Sequence, residues 1–143
     1  MTMPMIRADE RRRTETPNAV MTTLASPTQG GGELAVWQVD MAPGAAGPDH
    51  AFDTELVWTA VGGAARIELG ADELTVAAGD TVVMAADVRR RIFADAERGF
   101  AAIVCARGGA LAYTLDANGR AGADAAPACA QRIGDRLLPA WVA

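Results

Sequence analysis

The sequence predicts a single all-β domain, folded as a sandwich or barrel. Three observations carry that expectation. Helical periodicity is scarce. Short apolar runs recur in its place, punctuated by turn-forming residues roughly every eight to twelve positions, the rhythm of all-β folds. The chain has 143 residues, enough for one domain with one sizeable core.

Taken in order, residues 1–19 are charged and read as an arm or an edge strand that joins a partner. The barrel proper is expected over 20–115. Its strands are expected at 20–24, 34–41, 55–61, 64–69, 73–76, 81–84, 90–94, 100–105 and 111–115. Between them lie Gly30-Gly31-Gly32, Pro43-Gly44 to Pro48, Gly62-Gly63, Gly70-Ala71-Asp72, Gly79-Asp80 and Gly108-Gly109. Each supplies a residue that takes a positive or pre-set φ where the chain reverses. Residues 116–143 read as an Ala/Gly/Pro-rich tail, with a short amphipathic helix around 131–138.

Composition excludes several chemistries. There is no lysine; all the positive charge is arginine, and the net charge is −5. Schiff-base catalysis and a P-loop lysine are therefore ruled out, and the acidic balance argues against a nucleic-acid partner. His50 is the one histidine, so no zinc site of His and Cys alone closes within one chain. Cys105 sits in an apolar run and Cys129 in the tail, which is not the pattern of a disulfide framework. The Arg11–Arg13 and Arg89–Arg91 clusters read as solvated turns and strand ends. No apolar run approaches membrane-spanning length, and the charged N-terminal stretch is unlike a signal peptide. A soluble, cytoplasmic protein is expected.

The segments PGAAGPDH, ELVWTAVGG and AAGDTVVMAADVRRRI resemble the cupin family, small β-barrels of jelly-roll type. That family's first motif runs from Gly through two histidines and an acid to Gly. Here Gly44, His50 and Gly63 match it, while Phe52 stands at the second histidine and Leu56 at the acid. Counting back from Gly62 instead puts Glu55 at the acid position. In the second motif Gly79-Asp80 match, but Ala85 replaces the proline, Asp87 a glycine and Arg90 the last histidine. The resemblance covers about half the chain. It implies a jelly-roll barrel, a small-molecule ligand inside it and a homodimer.

The departures matter most. Family members that hold a metal use three imidazoles and a carboxylate. Phe52 and Leu56 cannot coordinate a metal, and the guanidinium of Arg90 would repel one. No cofactor is expected; the alternative is a divalent transition metal held weakly by His50 and Glu55. With alternating strand faces, Phe52, Leu56, Trp58, Ile92 and Arg90 point inward beside Trp37, Met41 and Met84.

The equipment suggests a metal-independent acid–base enzyme of the isomerase, dehydratase or cyclase type. Its substrate would be a small apolar or aromatic metabolite, and the resemblance makes bacterial secondary metabolism a setting. His50 would move a proton, with Asp49, Asp53 or Glu55 orienting it, and Arg90 would clamp developing negative charge. Trp37, Met41, Phe52, Leu56, Trp58, Met84 and Ile92 would contact the substrate. Two other readings stand beside this one: a non-catalytic ligand-sensing barrel, and a metal-dependent dioxygenase with a degenerate site.

Overall fold

The computed structural model describes residues 3–115, 121–122 and 131–143. A 3-10 turn at Ala8–Glu10 precedes β1 (Arg12–Glu15), β2 (Val20–Ala25), β3 (Leu34–Met41), β4 (His50–Phe52) and the long β5 (Leu56–Leu69). There follow β6 (Asp72–Ala77), β7 (Thr81–Met84), β8 (Arg90–Ala94), β9 (Phe100–Arg107) and β10 (Ala112–Leu115). The short strands β11 (Ala121–Gly122), β12 (Gln131–Ile133) and β13 (Arg136–Leu138) complete the set. No helix among the described residues is long and apolar enough to cross a membrane.

Pairing is antiparallel, in the order β1-β2-β3-β9-β5-β8-β4-β10-β13-β12, with β6 and β7 also on β5 and β11 on β10. The sheet curls into a jelly-roll barrel, and β5 is its hinge. Its first half pairs with β7 and β9, its second with β6 and β8. The sequence reading divided this segment at Gly62-Gly63. The strand instead runs on through a bulge between Ala60 and Gly62. A bulge with glycine bends a strand at a barrel corner without ending it. Gly63 has φ +64°, and a Cβ there would collide with the Gly99 carbonyl.

The strands alternate as a half-buried sheet requires. On β3, Ala35, Trp37, Val39 and Met41 are buried; on β9, Phe100, Ala102, Val104 and Ala106. Leu56, Trp58 and Ala60 point in from β5, and Arg90, Ile92 and Ala94 from β8. The sets on β3, β5 and β8 agree with the inward faces that alternation predicts from the sequence.

The N-terminal segment takes the edge-strand alternative, pairing within its own chain: β1 is one limb of a hairpin with β2, from Arg12↔Thr23 to Glu15↔Val20. Thr16 closes its turn: its Oγ1 accepts from the Asn18 and Ala19 N–H groups and donates to the Ala19 carbonyl. The expected helix near 131–138 is a β-hairpin, β12–β13, turning at Gly134 with φ +63°. Glycine at that turn adopts a conformation that a helix does not use. β13 pairs with β10 through Ala112↔Leu137, and Trp141 and Val142 are buried beyond it. Cys129 lies outside the described residues.

Arg12 ties the two ends together. Its guanidinium donates to Thr28 Oγ1 (3.0 Å), Ser26 Oγ (3.3 Å), the Ala140 carbonyl (2.6 Å) and the Ala143 backbone oxygen (3.3 Å).

Candidate functional site

The barrel encloses a cavity of about 290 Å³, near the lower limit of ordinary small-molecule sites. Trp37, Val39 and Met41 of β3, Trp58 of β5 and Ile92 of β8 form one part of its wall. Gly47, Pro48, His50 and Phe52 form another, with Ala112, Tyr113 and Thr114 of β10 beside them. The two chain ends finish it: residues 16–19 and Met21 from the N-terminal hairpin, and Leu137, Pro139 and Trp141 from the C-terminal segment. The sequence reading missed these last contributions. One signal was present: a tryptophan at 141, in an Ala/Pro-rich tail, is a large apolar group that needs burial.

His50 is half-buried on the cavity wall. Its Nδ1 lies 2.8 Å from the Pro48 carbonyl oxygen. A carbonyl only accepts, so Nδ1 carries the proton and Nε2 of the neutral ring keeps its lone pair. Nε2 has no partner among the described residues. Desolvation pushes the imidazole down to about 4, helped by the nearby Arg90 charge and opposed by the Pro48 hydrogen bond and the Asp49 charge. The ring meets Phe52 edge-on at 5.9 Å.

None of the three acids considered as its orienting partner does that work. Asp49 pairs with Arg89, whose Nε is 2.6 Å from its Oδ1 and which also reaches Glu68. Asp53 accepts the Leu111 N–H, and Glu55 is exposed outside the cavity lining. A backbone carbonyl holds the ring, a partner that no side-chain motif records.

Of the expected contact residues, Trp37, Met41, Phe52, Trp58 and Ile92 line the cavity with His50. Leu56, Met84 and Arg90 do not. Leu56 and Met84 are cross-strand partners, wholly buried in the packed core. Arg90 faces His50 across β4 and β8, yet its guanidinium serves the β7–β8 connection. It donates to the Val88 carbonyl through Nε and Nη2 (3.1 and 2.9 Å), and to the Ala85 carbonyl through Nη2 (3.0 Å). Nη1 contacts Met84 Sδ, and the Phe52 ring centroid lies 6.0 Å away. Desolvation lowers this guanidinium to about 10, against the charges of Tyr113 and Asp87, so it stays charged at neutral pH. The anion clamp expected of Arg90 is corrected to a buried brace, because Arg90 lies outside the cavity lining and its Nε and Nη2 donors serve backbone carbonyls.

The same connection explains Asp87. This residue stands where the cupin pattern has glycine, and it keeps the glycine conformation with φ +61°. Its N–H donates to the Phe52 carbonyl, and its Oδ1 accepts from Tyr113 Oη at 2.9 Å. Aspartate tolerates the left-handed region better than most residues; here it also anchors a wall residue.

Where metal-holding cupins have their other ligands, this chain has Phe52, Leu56 and Arg90, none of which coordinates a metal. No group of three His, Cys, Asp or Glu side chains converges among the described residues.

Trp58 carries a further feature. It is 6% exposed, stacks on Phe100 at 6.4 Å and lines the cavity. Its indole Nε1 is buried with no hydrogen-bond partner.

No protein-family model matches this sequence, and no curated protein matches it. Solved structures do. KdgF from a Halomonas species aligns with a TM-score of 0.61 at 20% identity, covering 73% of this chain and 92% of that one. An RmlC-like cupin from Shewanella frigidimarina gives 0.61 at 15% identity, over 73% of this chain and 90% of that one. The polyketide cyclase RemF from Streptomyces resistomycificus gives 0.63 at 13% identity, over 74% of this chain and 80% of that one. At such identities the likeness is one of fold.

Proposed function

From the cupin fold that this chain shares with those structures, we propose a metal-independent enzyme that moves a proton on a small apolar or aromatic molecule. One observation carries the proposal. In a largely apolar barrel, Pro48 fixes the tautomer of His50, a residue of the cavity wall, and leaves its Nε2 as a lone-pair acceptor.

The chemistry follows from that atom. With a pKa of about 4, His50 is in its base form throughout the neutral range. It is a weak base, so it suits an acidic proton, such as one on a carbon between two carbonyls or on a hydroxyl. The imidazolium formed is correspondingly acidic and returns the proton readily to another atom of the same substrate. Enolisation followed by isomerisation, dehydration or ring closure has this proton balance: one taken, one given back, no net redox change. The aromatic walls suit a planar molecule. The polyketide-cyclase name of one structural neighbour is consistent with this reaction type.

The test is turnover with His50→Gln, which keeps side-chain hydrogen-bonding capacity but offers no base. A loss of about 10²–10⁴-fold in kcat is expected, the usual worth of a general acid–base group, with the fold intact by circular dichroism. Unchanged turnover would refute the assignment. A second reading, a sensing barrel without catalysis, draws support from the absence of any free second acid or base on the described cavity wall. In that case the ligand would co-purify and be recovered unchanged after long incubation. The proposal includes a cytoplasmic homodimer. Among the described residues β1 ends the strand order with one edge unpaired, and an open edge calls for cover; light scattering of the purified protein checks the dimer.

A further inference from the structure

The two outer faces of the barrel are dressed differently. Around β5 and β8, Arg66 and Arg89 form ion pairs with Glu68, Glu73 and Asp49, as suits a solvated sheet. On the β3–β9–β5–β7 side the middle of the outward face carries no charge. One row across these strands is Val36, Cys105, Val57 and Val83. The next is Gln38, Ile103, Thr59 and Thr81. Its polar groups have partners of their own: Thr59 Oγ1 and Thr81 Oγ1 lie 3.0 Å apart, and Gln38 Nε2 donates to Asp40. Leu34 and Val83 on this face and Val61 at its β5 corner are three of the six exposed large hydrophobic residues among the described residues. Charge is confined to the rim. Asp40 stands at one end, Arg107 with the exposed Glu33 and Glu55 at the other, and Arg13 pairs with Glu15 on β1.

Resting on the homodimer reading above, we infer that this face, and not the β1 edge, is where the two copies meet, sheet against sheet. A chain of net charge −5 repels its own kind, and a two-fold contact sets one patch against itself. An uncharged centre is where that repulsion is least. Apolar in the middle and charged around, the face has the layout of a protein interface. Its rim is also self-complementary. With the two-fold axis along the strands, between β9 and β5, Arg107 of one copy comes to Glu55 of the partner subunit. With the axis across the strands, level with Ile103 and Cys105, Arg107 comes to the end that carries Asp40 of the partner subunit. In both arrangements the one arginine at that end meets an acid, and Cys105 lies within the covered centre.

Light scattering over a dilution series gives the dimer dissociation constant. Val57→Glu puts a carboxylate in the centre of the contact and should raise that constant at least about 100-fold, the cost of a buried charge without a partner. Arg107→Glu should raise it about two- to fivefold, the worth of a rim ion pair. Thr75→Glu adds the same charge to the opposite outer face, where Thr75 is exposed beside Arg66, and should leave it unchanged. Circular dichroism checks each fold. Should Val57→Glu fail to fold, Cys105 reports on the unsubstituted face. In Cys129→Ser, where it is the only thiol, its labelling by a charged maleimide should slow as protein concentration rises through the dissociation constant. A dimer that survives Val57→Glu, equal loss in Thr75→Glu, or labelling indifferent to concentration would overturn the inference and leave the homodimer standing. A chain monomeric at every concentration would overturn both; if its Cys105 were also unreactive, another part of the same chain covers the face. None of these readouts involves turnover, so the catalytic reading is judged separately.

Discussion

Acid should destabilise this protein through one histidine, and the effect can be isolated. The unfolded chain takes up a proton at His50 as pH falls below its ordinary value of 6.5; the folded ring, held down to about 4, resists it. Stability from this group is thus fully present above pH 6.5 and declines as pH falls from 6.5 to about 4. At about 1.4 kcal/mol per tenfold difference in proton affinity, the decline reaches at most roughly 3 kcal/mol. Water reaching the cavity side of the ring reduces it. Glu68, held low chiefly by Arg89 and then Arg66, and Asp95, held low by the Arg98 and Glu97 N–H groups, weaken the fold at lower pH still. Comparing the chain with His50→Gln cancels their share. Urea unfolding of both proteins at pH 7.5 and pH 4.2 should show a smaller loss in the variant, by about 2–3 kcal/mol. Because His50 is the only histidine, its ring signals in an NMR titration need no assignment. They should report the Nδ1–H tautomer at neutral pH and a midpoint near 4. A midpoint between 6 and 7, an Nε2–H tautomer, or equal acid loss in the two proteins would refute the reasoning.

Three further outcomes are expected. Arg12→Ala removes four hydrogen bonds, two of which join the N-terminal hairpin to Ala140 and Ala143; bonds to a charged group are worth about 1.5–3 kcal/mol. The melting temperature should fall, and amide exchange should quicken at Trp141 and Val142, as read by exchange mass spectrometry. Arg90→Met leaves the Ala85 and Val88 carbonyls without their partner, at about 1–3 kcal/mol for each one left buried. Chemical denaturation measures that loss, while the affinity for 2-naphthoate, an aromatic anion, should change little if Arg90 is a brace and not a clamp. Asp87→Gly relieves the left-handed backbone but loses the Tyr113 hydrogen bond, so its stability should stay within about 1 kcal/mol of the original. Asp87→Ala, which gains nothing in return, should lose about 1–3 kcal/mol.

Much of the barrel was legible from local pattern. The period of two in residues 34–41, 56–60, 90–94 and 100–106 set the buried faces, because a strand's side chains alternate whatever it pairs with. The motif and the strand alternation together put His50, Phe52, Trp58 and Ile92 at the cavity, and they line it; the motif positions Leu56 and Arg90 do not. The errors came where a long-range partner decides. Gly62-Gly63 reads as a turn in isolation; pairing with β9 makes it a bend inside one strand. The Gln131–Leu138 segment carries a weak helical pattern that pairing with β10 and the Gly134 turn override.

The sequence by itself determined that this is an all-β barrel and that its interior is apolar and aromatic, and its resemblance to cupins puts one imidazole at their first metal-ligand position. Those are consequences of residue identity and of a period-two alternation that needs no partner. The tertiary structure decided what the polar groups do. Arg90 points inward as its register requires, but the carbonyls of Ala85 and Val88 reach its guanidinium and take it out of the cavity's chemistry. His50 is oriented by a backbone oxygen two residues away, which no side-chain motif encodes. The Trp58 N–H is left without an acceptor by packing alone. Hydrogen-bond partners depend on which atoms the completed fold brings within about 3 Å, and that distance is set by every strand of the barrel together.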